Sequence, residues 1–542
     1  MISAKLGLTS IGVLIAVALA CSAVLAVEVV DTPKVLPDRA IDTSSLAGIV
    51  QGVCRPGTKP QERFLALYQF YRRMVYHGRY MGGDRRSVLR MINSYGLQLC
   101  GSQAATFSVL CRKAGFGTRV AHVKATGYGS HTVMEAEYDG AWHLVDTMTA
   151  FYVLNRKGQI ASLAELKADP TLITDAVKEK RAPVDWCLCT REIEPEQAGI
   201  EKLLTHDRPW SLLRWGKGKT LPDFWAKAVA KGRTQDGLYG GHVQKGEMDI
   251  VLKPNEEYVR RWDGVGLWLK KPTFAAIPPY HTCGHIDEQD VNFRYFEPYK
   301  KTGFQHCRYC YRTYGNGWLE WKPDGTKGEV KAAARSARGL EHDPGTGLFG
   351  ATDLRRPAEL VVPIKSPYAV VKIEIDLKVD QPEGAATTVS VGPVRMYRGR
   401  RTAKFTPVGK IQGKKKGVEK IVVDCTNDRT PKYLYDIKVV PAGKAVRFNI
   451  ARVKTMLQLN PASLPSLYPG ENTITVSAKT GGELKANKLL VTYDWADGAG
   501  WKTDHTDTQT VTRLPHTYKL KADVPKDKMP KMKRLVVKLV PR

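Results

Sequence analysis

Between Lys59 and Gly96 the apolar residues recur every three or four positions, a spacing that predicts two helices. Phe64, Leu67, Tyr68, Tyr71, Met74 and Val75 form the stripe of the first, which Gly78 ends. Asp84 caps a second that presents Val88, Leu89 and Ile92, and Gly96 breaks it. On this pattern the aromatic side chains are core residues. A third helix starts near Cys100, with Cys100, Ala104, Phe107, Ser108 and Cys111 on one face and Gly115 or Gly117 closing it. The period then changes to two. Residues 118–126 are β-branched and alternating, a short turn leads into 131–138, Asp139-Gly140 is a strong hairpin-turn signal, and 141–148 returns.

Outside this block the pattern is coarser. Residues 27–50 hold two prolines and no clean period, so they read as a linker or surface strap. Residues 150–240 read as helical, with Trp186, Trp210, Trp215 and Trp225, and the glycine-rich 237–241 marks a boundary. From Asp249 strands dominate: 249–254, 265–271 and 315–325 alternate, and 331–347 reads as a linker. Short strands between 358 and 457 have the turn spacing of a β-sandwich, and a second such set follows Pro469. The expected organisation is an α+β domain over 27–210, a mostly β middle region over 211–350, and sandwich-like modules over 351–460 and 461–542.

The hairpin gives the α+β block its chemical interest. A two-residue loop pairs Val133 with Asp146 and His131 with Met148, which sets Asp146 diagonal to His131 on one face. A three-residue loop would put the two on opposite faces. His143 falls on the other face and is non-catalytic on this reading. Cys100, in the first turn of its helix, gains from the helix N-terminus, which favours the thiolate. Cysteine, histidine and aspartate in that order supply a nucleophile, a general base and an orienting acid. The same three letters also describe a buried cysteine, a surface histidine and a hairpin aspartate with no shared chemistry.

The stretch resembles the transglutaminase-like core family, papain-related cysteine acyltransferases. The matching residues are Cys100 with Ala104, Ala114-Gly115-Phe116 with Arg119-Val120, His131 with Glu135, and Trp142 with Leu144, Val145 and Asp146. The resemblance covers a quarter of the chain at most. It implies a papain-like fold, with catalytic roles for Cys100, His131 and Asp146 on a protein or peptide substrate, and no required cofactor. Val133 departs from the usual tryptophan and Thr147 from the usual proline, and no tryptophan occurs between Val27 and Ala141. The upstream tryptophan that some members use as an oxyanion donor is therefore missing. The backbone N–H groups of Cys100 and Gly101, with the side chain of Gln98, are the oxyanion donors that remain.

Composition adds a compartment and a second class of partner. Lys5 precedes an apolar run from Leu6 to Leu25, and Val24-Leu25-Ala26 has the small residues a signal peptidase needs, so residues 1–26 read as an export signal. The expected location is periplasmic, cell-surface or secreted, with an uncleaved anchor or a lipid on Cys21 as alternatives. Nine cysteines then remain, and an odd number leaves one free thiol, for which Cys100 is the first choice. His281, Cys283, His285, His306, Cys307 and Cys310 have spacings that suit either a structural zinc site or disulfides. The formal charge of +29 is uneven: 401–450 holds 12 basic and 4 acidic residues, and 501–542 holds 11 and 4. Lysine runs at 414–416 and 526–534 point to an acidic polysaccharide or anionic wall polymer rather than nucleic acid in an exported chain. A wall-binding protein using basic β modules, with no catalysis, is the competing reading.

Overall fold

The structure, a computed structural model, describes residues 28–77, 87–98, 100–125, 129–147, 151–176, 179, 181, 221–235, 248–262, 267, 315–397, 400–426, 432–443, 445–497, 502–524 and 529–542. The expected export signal, the cap at Asp84, Trp186, Trp210, Trp215, the boundary at 237–241 and the six histidines and cysteines between 281 and 310 lie outside them.

Helix α1 (Pro60–Met74) begins on a proline and a glutamate, Glu62, whose carboxylate accepts from the Lys59 N–H, and it buries Phe64, Leu67, Tyr68, Tyr71 and Met74. The second predicted helix is only partly α-helical. Val88–Arg90 runs into a π-helical turn, Met91–Tyr95, that ends on Gly96 at φ 63°. Leu97–Gln98 then pairs in parallel with Tyr76–His77, and helix α2 (Cys100–Lys113) follows. Strands β1 (Gly117–Ala125), β2 (Gly129–Tyr138) and β3 (Ala141–Val145), with β4 (Arg233–Gln235), make an antiparallel sheet in the order β3-β2-β1-β4. Helix α3 (Leu221–Ala230) comes just before β4. The sheet is covered on both sides. Met134 and Ala136 share a core with Phe107 and Leu110 of α2, whereas Ala121, Val123, Val133 and Leu144 share another with Trp225, Ala228 and Val229 of α3.

The rest of the chain is strand-rich. Among the described residues ten strands join one sheet, six a second and three a third. The ten-stranded sheet is built around β5 (Arg447–Leu459), which ladders with Gly315–Trp321 and Ala369–Gln381 and briefly with Leu348–Ala351. Its strands come from the expected middle region and from both expected sandwich modules. The boundaries expected at 350 and 460 therefore cut through one hydrogen-bonded sheet.

Two stretches expected as linkers are structured. Within 331–347, Ser336–Arg338 joins the six-stranded sheet and Leu340–Asp343 the ten-stranded one. In 27–50, Val30–Asp31 pairs with Val251–Leu252 and Lys34–Pro37 with Gly470–Ser477, and the helix Leu46–Val53 follows. The strands concerned are two to four residues long, too short for alternation to register in sequence. No helix among the described residues is long and apolar enough to cross a membrane.

Candidate active site

The β2–β3 ladder has the register that a two-residue turn requires. Met134 faces Val145 and Tyr138 faces Ala141, across Asp139 at φ 51° and Gly140 at φ 72°. Two successive left-handed residues are the signature of the tight turn that matches strand twist, and an Asp-Gly pair tolerates it. Continued to the open end, this register brings His131 and Asp146 to one face, where Nε2 of His131 and Oδ2 of Asp146 are 2.9 Å apart. Both side chains are buried.

Asp146 is fixed by its own backbone. It exchanges two hydrogen bonds with Phe151, and its carbonyl accepts from the Tyr68 hydroxyl at 3.0 Å. Nε2 is taken up by Asp146, and the Cys100 thiol is the other group that acts on the imidazole, with the Thr132 backbone also favouring the thiolate. Burial alone would raise the half-buried Cys100 thiol. The His131 hydrogen bond and charge, helped by the Thr132 backbone, outweigh it and hold the thiol below its ordinary value. For His131 burial disfavours the cation, but Asp146 on one side and the thiol on the other push it up to about 10. The two shifts have one cause: thiolate and imidazolium stabilise each other, and Asp146 stabilises the imidazolium.

Gln98 is buried against α1 and α2. Its Oε1 accepts from the Tyr71 hydroxyl at 2.7 Å and from Thr106 Oγ1 at 2.8 Å, so its amide is held in one orientation. Its carbonyl accepts from Gln103 Nε2 at 3.1 Å, and Gln103 Oε1 in turn accepts from Thr147 at 2.8 Å. This chain links the residue next to Asp146 to the approach to Cys100. Gly101 is buried in the first turn of α2, where backbone N–H groups have no partner within the helix.

Several residues at the site carried no sequence signal. Tyr68 and Tyr71 lie in the expected core stripe, yet their hydroxyls hold Asp146 and Gln98. Trp225, on α3, sets its ring 6.0 Å from that of His131, edge to face, and stacks on Phe151 at 3.8 Å. It is 79 positions beyond Asp146 in the chain, so only folding brings it there. Glu135 also takes a structural part. It is fully buried, pairs with Arg119 at 2.7 Å and accepts from the Leu163 N–H at 2.7 Å, while Arg119 lies 4.0 Å over Trp142. Arg119, Glu135 and Trp142 thus brace three adjacent strands. His143 has Nδ1 2.6 Å from the Ile160 carbonyl and stacks on Tyr138, away from the thiol.

Cys54 and Cys111 are also thiols, so the odd cysteine count does not single out Cys100. The proposed zinc or disulfide cluster falls outside the described residues, and among those described no group of three or more metal-ligating side chains gathers. The lysine run at 526–534 is largely engaged within the fold where it is described: Lys533 pairs with Asp504 at 2.6 Å and Arg534 contacts Asp494.

No protein-family profile matches the chain, and no curated protein does. Among solved structures it is similar to a structure of the Gt strain of infectious bursal disease virus, with 7% identity, TM-score 0.14, and coverage of 38% of this chain and 43% of that one. It is also similar to the transglutaminase of red sea bream, with 11% identity and TM-score 0.16, over 89% of this chain and 67% of that chain. The chain thus spans less than half the length of the viral protein and about two thirds of the fish enzyme. Likenesses this distant carry no argument about fold or chemistry, and the reading of the site stands on its geometry.

Proposed function

We propose that the protein is a thiol-dependent acyl transferase, or an amidase or protease, of the transglutaminase-like kind, acting on carboxamide or peptide bonds. Cys100 is the nucleophile, His131 the general base and acid, and Asp146 the group that orients and charges the imidazole. The observation that carries the reading is the buried His131–Asp146 pair, 2.9 Å apart, beside a helix-start cysteine whose thiol His131 holds below its ordinary value. The Cys100 thiolate attacks the carbonyl carbon. As the new C–S bond matures, the C–N bond breaks, and the imidazolium proton passes to the departing ammonia or amine. The oxyanion is met by the Gly101 N–H and the Gln98 amide. Water or a primary amine, deprotonated by His131, then attacks the thioester and restores the thiol.

The test is ammonia release and amine incorporation on a glutamine-containing peptide library. Wild-type protein is expected to turn over one or both reactions, and Cys100→Ala to lose at least about a thousandfold. Iodoacetamide at about pH 7 is expected to label Cys100 ahead of Cys54 and Cys111, whose thiols burial pushes up. An ordinary titration at Cys100, or unchanged behaviour of Cys100→Ala, would sink the enzyme reading and leave the wall-binding one. The basic surplus supports a further contact with an anionic polymer, through the exposed Lys410, Lys414, Lys416 and Lys420. Salt-sensitive retention on an acidic polysaccharide, lost when these four are changed to glutamate, is the outcome expected.

A further inference from the structure

The turn that leads into the thiol-bearing helix is clasped by the end of β5. Met91–Tyr95 is closed by the Gly96 N–H donating to the Met91 carbonyl at 2.8 Å. A π-helical turn has one residue more than an α-turn and persists only where its surroundings hold it. The Ser94 hydroxyl donates to the Gln458 carbonyl at 2.8 Å, and Gln458 Nε2 donates back to the Ser94 carbonyl at 3.2 Å. The Asn460 N–H donates to the Asn93 carbonyl at 2.8 Å. Asn460 Nδ2 donates twice, to Ile92 O at 2.6 Å and to Met74 O at 2.9 Å, while its Oδ1 accepts from the Ala462 N–H. Ser94, Gln458 and Asn460 are fully buried.

The two carbonyls that Asn460 joins are special in the chain path. Met74 ends α1, two residues before Tyr76–His77, and Ile92 lies in the turn that runs into Leu97–Gln98. One amide therefore ties together the roots of the two short parallel strands, and the second strand ends two residues before Cys100. Gly96 makes the approach possible: a Cβ there would lie 3.1 Å from the Asn460 amide nitrogen, on a residue already at φ 63°.

We infer that Asn460 is a positioning residue for Cys100, so that the thiol site is in register only while the ten-stranded sheet grips the turn before it. The inference rests on the thiol-enzyme reading for its effect on reactivity, though not for the grip itself. It makes the β region part of the catalytic unit rather than a separable binding module.

The experiment uses the full chain with Asn460→Asp, which keeps size but sets a carboxylate against two carbonyl oxygens. Asn449→Ala is the comparison, because Asn449 is a buried asparagine of β5, the strand that Asn460 follows, and its amide bonds the Gly347 carbonyl at 2.5 Å, away from the turn. Two quantities are followed: amide exchange over 88–98, and the pH profile of alkylation at Cys100. For Asn460→Asp, exchange is expected to quicken, and alkylation at about pH 6 to slow about tenfold or more with the profile moved upward. Asn449→Ala is expected to lower stability and leave the profile in place. Wild-type alkylation in Asn460→Asp, or an equal shift in Asn449→Ala, overturns the inference. Should Asn460→Asp not fold, Ser94→Ala is read the same way, with about a threefold loss or more expected from the missing bonds to the Gln458 carbonyl and the Ala369 N–H. An ordinary thiol titration in the wild type ends the enzyme reading alone. Exchange over 88–98 then decides the grip, and an unchanged rate there ends it.

Discussion

Asp146 divides its work between backbone and side chain. The main chain locks onto Phe151 and Tyr68, and the carboxylate holds the His131 cation. The stabilisation from that pair has a defined pH range. His131 is raised above its ordinary 6.5 to about 10, so the contribution is complete below pH 6.5 and is lost as pH rises through about 10. Asp146→Asn removes the charge that sustains it. Its stability deficit, measured by chemical denaturation, is expected to be on the order of 3 kcal/mol at about pH 6 and to narrow toward pH 10. A deficit independent of pH would mean that the imidazole is neutral. The meeting of His131 and Asp146 was legible in the sequence because hairpin parity joins them, and Cys100 stands as the candidate nucleophile because its residue type carries rare chemistry. Tyr68, Tyr71 and Gln103 were not, since a helix period reports which side faces inward and says nothing about where a hydroxyl or amide tip ends.

At the scale of elements, the Asp139-Gly140 turn carries the site. It fixes the register that puts a histidine and an aspartate on one face fifteen residues apart, and both of its residues have positive φ. A β-branched residue at the second position meets the left-handed penalty directly. Gly140→Val is expected to cost about 1–2 kcal/mol in denaturant melts, while Asp139→Gly is expected to be close to neutral. This element could be read in advance because its signal is local. The π-helical turn could not. Its extra residue is held by Gln458 and Asn460, more than 360 positions away, and nothing between Val88 and Gly96 announces them. The same distinction explains Arg119, Glu135 and Trp142, visible as motif letters but recognisable as a brace only once three strands lie side by side.

For the whole molecule, sequence spacing identified strands well and their grouping poorly, because alternation reports one buried face and not which partner lies beside it. The sheet that absorbs the middle region and both expected modules makes a direct prediction. Strand Lys531–Pro541 lies between Glu256–Arg261 and Asn487–Asp497, an interior place rather than an edge. Ending the chain before Lys531 is expected to abolish a single cooperative melt in circular dichroism and to open the chain to protease throughout, not merely to trim a module. A truncated protein that melts as sharply as the full chain would contradict this. Charge reversal, rather than deletion, is accordingly the sound way to probe the basic surface. The same arrangement bears on the time course of folding. Lys34–Pro37 waits for Gly470–Ser477, and Glu256–Arg261 waits for Lys531–Pro541. Contacts this distant in sequence are slow to form. During synthesis the large sheet stays split, with unpaired strand edges on either side of the gap, until Lys531–Pro541 arrives to close it.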